Sequence, residues 1–401
     1  MTAPNLAPLE SAAIPAATPR AAQRDIAIDW LRGLVMVVMA LDHARDFACG
    51  MSQDPTNLET TTPILFATRV VTHYCAPVFV FLSGTAAYLY ARNKPRAALT
   101  SFLVSRGLWL VVLEETLVRF AWIPDPAYHQ SVMAVIWAIG WSMIALAAVS
   151  RLPMAGVLAF GLSLVLGHNL LDSIHAARFG ELAWLWKILH EPGALVLAPG
   201  HVVIVVYPLV PWIGVIALGY AFGAIATRAA DERRAIVLRL GLCVTGLFFV
   251  VRGLNGYGDP APWSVQRSAL FTAMSFVNTT KYPPSLAYLC MTLGPALILL
   301  ALAPRDATAR WVKPLVVFGR VPLFYYLAHL YVLRIPLIAV AAARLGARAL
   351  RGPSGGTAGS PELSLAYAYF AWIAAVVLLY PVCRWYAGIK ASGRYPLLRY
   401  L

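Results

Sequence analysis

Apolar runs of about twenty residues, separated by short polar breaks, recur along almost the whole chain. They fall near residues 26–46, 66–90, 103–123, 131–150, 153–171, 202–226, 236–254, 285–303, 315–340 and 363–386. The breaks carry turn chemistry, as in Arg151-Leu152-Pro153 and Ala303-Pro304-Arg305-Asp306, where proline cannot continue a helix. The pattern predicts an all-α, polytopic membrane protein with about 10 transmembrane helices. No internal repeat is evident, so an inverted-repeat transporter gains no direct support. One membrane domain is expected over residues 24–390. Residues 1–23, rich in Ala and Pro, predict a disordered cytoplasmic tail, and residues 391–401 a second one.

Composition agrees with the pattern. Of 401 residues, 60% are hydrophobic and 12% charged, against roughly 25% charged in soluble proteins. A formal charge of +14 would suit nucleic acid only if the cations formed an accessible stripe, and no soluble module carries one. In a membrane protein that excess belongs on cytoplasmic loops. Threading the loops alternately gathers Arg32, Arg92, Lys94, Arg96, Arg106, Arg151, Arg228, Arg233, Arg234, Arg320 and Lys390 on one side. Both termini are therefore expected in the cytoplasm. His43, His73, His129, His168, His175, His190 and His201 fall on the opposite, outer side, and His329 lies within a span. The five cysteines show no metal-binding spacing.

The densest chemistry closes the first span, at Leu41-Asp42-His43-Ala44-Arg45-Asp46. On a continuing helix Asp42, Arg45 and Asp46 share a face, and Asp46 lies three residues after His43. A carboxylate beside an imidazole fixes its tautomer and suits a general base. The bland reading is an Asp–Arg network that closes the helix end. In the second span Arg69, Thr72 and His73 precede Pro77, a proline that kinks a helix. Glu115 and Arg119 are four apart in the third span and predict an internal ion pair beside Glu114. His329 follows Phe324-Tyr325-Tyr326-Leu327-Ala328, either as a satisfied core imidazole or as a substrate contact. GxSxG, HExxH, P-loop and dinucleotide-binding signatures are absent. Asp42, His43, Asp46 and His73 have no diagnostic metal spacing, and no metal is expected.

Several strings resemble bacterial members of the heparan-alpha-glucosaminide N-acetyltransferase-like family. They are Ile28-Asp29-Trp30-Leu31-Arg32-Gly33-Leu34, the Leu41–Asp46 run, Thr72–Leu82, Tyr207-Pro208-Leu209-Val210-Pro211-Trp212, Lys281-Tyr282-Pro283-Pro284-Ser285-Leu286 and Phe318–Tyr326. The resemblance implies a transmembrane acyltransferase in the bacterial inner membrane. It would move acetyl from cytosolic acetyl-CoA to a glycan amine, hydroxyl or other periplasmic acceptor. On this reading His43, Asp42, Asp46, His73 and His329 form the catalytic group, with His43 as base. Arg45, Arg69 and Lys281 would contact the acceptor, and Arg92, Arg96, Arg106 and Arg320 the CoA phosphates. The sequence departs from the lysosomal members, which have asparagine at the position of Asp42 and a catalytic histidine later in the first outer loop. Here Ala48 to Pro63 contains no histidine. A proton-coupled transporter using Glu114, Glu115, His73 and His329, or a non-enzymatic membrane subunit, are the competing readings.

Overall fold

The structure, a computed structural model, describes residues 25–49, 54–306, 309–345 and 363–395. The tail expected at 1–23 lies outside the described residues, as does 396–401 of the second tail. The first span is α1 (Ile26–Cys49), and the second is split into α2 (Pro63–Thr72) and α3 (Cys75–Ala91). The third is α4 (Arg96–Leu113), a π-helical turn over Glu114–Val118, and α5 (Arg119–Trp122). Then come β1 (Gln130–Met133), α6 (Val135–Val149), α7 (Met154–Gly167), two 3-10 turns, α8 (Ala183–Leu189), β2 (Gly193–Ala198) and β3 (His201–Val205). The remainder is α9 (Leu209–Ala226), α10 (Ala230–Leu254), α11 (Ala269–Val277), α12 (Leu286–Leu302), α13 (Val312–Arg320), α14 (Pro322–Leu345) and α15 (Leu365–Ala391).

Each predicted apolar run contains a helix or helix pair, and the protein is a multi-pass membrane protein. Among the described residues, seven helical segments are long and apolar enough to cross a bilayer: 63–91, 96–122, 154–171, 209–226, 230–254, 322–339 and 365–391. Val135–Val149 and Leu286–Leu302 are apolar but shorter. The 24 residues of α1 could span as well, but they include Asp29, Arg32, Asp42, Arg45 and Asp46. Those charges are tolerated because α1 is central, packed against α3, α13, α14 and α15. Backbones approach closely where glycine permits: a Cβ on Gly33 would overlap the Leu315 carbonyl, and one on Gly319 the Asp29 carbonyl. Small residues serve this purpose where lipid gives helices no hydrophobic drive to associate.

An all-helical fold is not what forms. β1, β3 and β2 make a three-stranded sheet in that order, with β1 parallel and β2 antiparallel to β3. The run read as one span from residue 202 is a strand followed by a helix. In His201-Val202-Val203-Ile204-Val205 the four residues after His201 are β-branched, which suits a pleated strand, and Pro208 precedes α9. The hairpin turns through Pro199 and Gly200, and Gly200 has φ +79°, as the third position of a type II turn requires. The run read as one span from 315 is likewise broken, between α13 and α14 at Val321.

Chain order gives the bundle two ends. One holds Asp25, the α3–α4 and α9–α10 turns and the end of α15. The other holds Cys49, the sheet, α8 and the starts of α12 and α15. Arg233 pairs with Asp25 at the first end, and Leu363 N–H bonds the Ala48 carbonyl at the second.

Candidate active site

The last two turns of α1 carry the site. Asp42 is 7% exposed and gathers four donors. Arg45 Nη2 lies 2.7 Å from Oδ1, Arg69 Nη1 is 2.9 Å from Oδ1 and 3.0 Å from Oδ2, and Thr72 Oγ1 donates at 2.7 Å. Lys281 Nζ stands 3.9 Å from Oδ2. A buried carboxylate needs this much compensation, and so do the buried cations. Arg45 also reaches Asp46 at 2.5 Å. The expected pairing of His43 with Asp46 is therefore replaced. Arg45 claims the carboxylate, because a permanent cation one residue away outcompetes a neutral ring.

His43 finds another partner. Its Nδ1 lies 2.7 Å from His329 Nε2, with the two rings nearly parallel at 4.9 Å between centroids. His329 is fully buried, and its Nδ1 lies 2.8 Å from the Tyr325 carbonyl. A carbonyl only accepts, so His329 carries its proton on Nδ1 and offers a bare Nε2. The short contact then requires the proton of His43 on Nδ1, which leaves His43 Nε2 with a free lone pair. A carbonyl thus fixes the tautomer of both rings, the role expected of Asp46. Trp122 and Tyr326 meet the His43 ring edge to face at 5.2 Å and 6.0 Å.

His73 sits at the break between α2 and α3. Pro77 has no N–H to give the His73 carbonyl four residues back, and the Tyr288 hydroxyl takes that place at 2.8 Å. The kink expected from Pro77 is thus satisfied by α12. The His73 ring is buried against Tyr288 at 5.4 Å, and its Nδ1 makes no hydrogen bond. It joins the Asp42 cluster through its neighbour Thr72 and not by touching His43.

Lys281 arrives from the segment after α11. Asp259 organises that segment by accepting from Thr280 N–H, Thr280 Oγ1 and Ser285 Oγ. Tyr282 bonds Arg69 and meets the Tyr207 ring at 5.2 Å. Burial alone would raise the Tyr282 phenol, but the Lys281 and Arg69 cations outweigh it and hold it below the usual phenol range. Burial pushes Tyr207 up, so Tyr207 donates to Tyr282 in this pair.

The Glu115–Arg119 ion pair does not form. The π-helical turn over Glu114–Val118 holds more residues per turn, so two residues four apart no longer align on one face. Arg119 bonds the Gln130 and Asp125 carbonyls at 2.9 Å and 2.8 Å and stacks on Tyr128. Glu114 Oε2 accepts from Trp137 N–H at 3.0 Å. It caps α6, whose preceding residue Ala134 has no side-chain acceptor.

Tyr326 also lines a cavity of about 240 Å³. Arg32, Arg106, Arg320 and Lys390 line its end nearer Asp25, and Met39, Ile136 and Tyr326 line the deeper part. Of the four arginines expected to bind CoA, Arg106 and Arg320 are here. Arg92 and Arg96 are exposed at the α3–α4 turn and do not line it. The sequence reading did not assign a role to Arg32, Lys390 or Tyr326. The Tyr325-Tyr326 step before His329 was the signal available for Tyr326.

The arrangement offers an unprotonated imidazole nitrogen, a buried anion and three cations near it, and a cation-lined cavity reaching toward the same imidazole pair. None of the curated proteins compared with this chain matches it. The family model for heparan-alpha-glucosaminide N-acetyltransferase, catalytic, matches residues 24–252. That is more than half of the 401 residues, and it takes in α1, His43 and the Asp42–Arg69 pairing, while His329 and Lys281 lie past its end. The chain belongs to the heparan-alpha-glucosaminide N-acetyltransferase catalytic family, membrane-bound acetyltransferases that use acetyl-CoA as donor.

Proposed function

We propose that this protein moves an acetyl or other acyl group from acyl-CoA, bound at the Asp25 end, to an amine or hydroxyl of a glycan or similar acceptor at the Cys49 end. The observation that carries the reading is that one residue is shared by the donor cavity and the base. Tyr326 lines the cavity and also meets the rings of His43 and His329 edge to face, at 6.0 Å and 5.7 Å between centroids.

The cavity volume of about 240 Å³ lies below the roughly 300–1,000 Å³ of sites that enclose a whole drug-sized ligand. It suits the thin pantetheine arm with its acyl end, and leaves the nucleotide phosphates to Arg32, Arg106, Arg320 and Lys390 at the rim. The deep wall is apolar, as a thioester prefers. His43 Nε2 takes the proton from the acceptor as its nitrogen or oxygen attacks the thioester carbonyl. The carbon–sulfur bond breaks, CoA leaves as the thiolate, and the proton returns to it. Asp42 with Arg45, Arg69 and Lys281 contacts the acceptor and holds its charge or hydroxyls. The excess of arginine on the loops at the Asp25 end supports a cytoplasmic donor and a periplasmic acceptor in a bacterial inner membrane.

The test is acetyl transfer by purified protein in liposomes, with acetyl-CoA on one side and amino-sugar oligosaccharides on the other. CoA release that saturates with acetyl-CoA and disappears in His43→Ala is the expected result. Absence of saturable acetyl-CoA binding, with no CoA release across a glycan panel, overturns it.

A further inference from the structure

A second histidine cluster lies at the Cys49 end, outside the site above. His168 opens the 3-10 turn that closes α7, Asp172 follows that turn, and His190 follows α8. One potential ligand atom from each of the three lies within 4.8 Å of the other two. His190 Nε2 is 3.8 Å from Asp172 Oδ1. We propose that His168, Asp172 and His190 bind a divalent zinc ion that ties α7 and α8 to the start of α12.

The state of His168 points to a ligand. It is 2% exposed, and neither ring nitrogen completes a well-formed hydrogen bond. The Pro284 carbonyl can take a proton from one of them at most, so the other is unclaimed. A bare imidazole nitrogen away from water is unfavourable unless something coordinates it. Donation of the opposite ring N–H to a backbone carbonyl is the usual support for a metal-binding histidine.

The surroundings are those of a prepared site. Asn169 Nδ2 holds Asp172 Oδ2 at 2.8 Å, which leaves Oδ1 facing His190. The Trp186 ring stacks on His190 at 5.4 Å and fixes its plane. His190 Nε2 donates to the His168 carbonyl at 2.9 Å, and on binding the ion it gives up that bond while its proton shifts to Nδ1. Two imidazoles and one carboxylate are a ligand set zinc accepts, with bonds of about 2.0–2.2 Å. Closing to that geometry draws the side chains inward by about an ångström. The Asp172 side chain is 21% exposed, so water can complete the tetrahedron.

The cluster also touches the segment that carries Lys281. Asn169 Oδ1 accepts from Leu286 N–H at 3.0 Å, and Pro284 faces His168. Lys281 lies three residues before Pro284, so the ion would brace the strand that brings it to Asp42.

The full chain, purified in detergent without a polyhistidine tag and stripped with EDTA, is titrated with zinc chloride against a chromophoric chelator. One equivalent should bind, with an absorption-edge spectrum of two imidazoles and light oxygen ligands. His168→Ala and His190→Gln should lose it. Asp172→Asn is partly exposed and so least prone to misfold, and should bind at least about tenfold more weakly. His129→Ala, at an exposed pair, should bind as the parent does. Size exclusion and helical circular dichroism establish that each variant is folded. A folded parent that binds no zinc, or folded variants that bind it as tightly as the parent, overturns the proposal. So does loss of zinc in His129→Ala alone. None of these outcomes depends on acyl transfer.

Discussion

Histidines meet in three pairs in this molecule, two stacked and one tilted, and the same side chain meets three different settings. His43 and His329 are 4.9 Å apart, with a carbonyl behind one ring and a nitrogen-to-nitrogen contact between them. His168 and His190 are 5.8 Å apart, with the Asp172 carboxylate beside them and an unclaimed nitrogen on His168. His129 and His201 stack at 5.6 Å on the rim of the sheet, and the His129 side chain is 64% exposed. A carbonyl relay leaves one lone pair at the end of a chain of fixed tautomers, which suits proton transfer. A carboxylate and an unclaimed ring nitrogen beside a second imidazole bring potential ligand atoms together, which suits a cation. Exposure to water removes the need for either. What surrounds an imidazole decides its chemistry more than its presence does.

The sharpest way to break the comparison is His43→Ala. It should lower acyl transfer by about 10⁴-fold while leaving acetyl-CoA binding and the zinc titration unchanged, as measured by CoA release and calorimetry. Next in size, His329→Ala should cost about 10²-fold, because His43 persists but its tautomer is no longer fixed. Its pH–rate profile should change shape, and an unaltered profile would remove His329 from the relay. Arg320→Ala probes the donor side alone. It should weaken acetyl-CoA binding by about tenfold, the value of one charge-assisted contact, with turnover at saturation retained. The smallest effect belongs to the exposed pair. His129→Ala, which ends a surface contact to Asp125 at 3.0 Å, should cost less than about 1 kcal/mol of stability by thermal unfolding, with turnover unchanged.

The Asp42 cluster supplies a different contrast, between a site that binds and a site that only holds charge. Three cations meet the Asp42 carboxylate there and only Arg45 has a second carboxylate, Asp46, so Asp42→Asn leaves an excess of buried positive charge. It should destabilise the folded protein by about 3–5 kcal/mol, read as a lower unfolding midpoint in detergent. If Asp42→Asn is as stable as the parent, the cations are screened by water and the pocket is open to the acceptor.

Hydrophobic run length was enough to find the long apolar helices, though not the short α8 and α11, because a bilayer imposes that length on any sequence that crosses it. Local composition also exposed the Asp42–Asp46 run and the Pro77 kink. Local spacing misjudged partners in two places. At Glu115 a π-helical turn changed the phase, and at His43 the nearby Asp46 lost to an imidazole from α14. The sheet was missed because His201–Val205 is as apolar as the helix that follows it, and hydropathy does not separate a short strand from a span.

The sequence by itself determined a multi-pass helical membrane protein, its loop-charge asymmetry and the residue types available for acyl transfer. These follow from hydropathy and from chemistry within a few residues. Only the tertiary structure decided that His43 meets His329, 286 residues away, that Arg106 and not Arg92 lines the cavity, and that His168 and His190 converge on Asp172. Those facts depend on how helices cross and on which buried polar groups must satisfy one another, and neither is encoded at a fixed spacing along the chain.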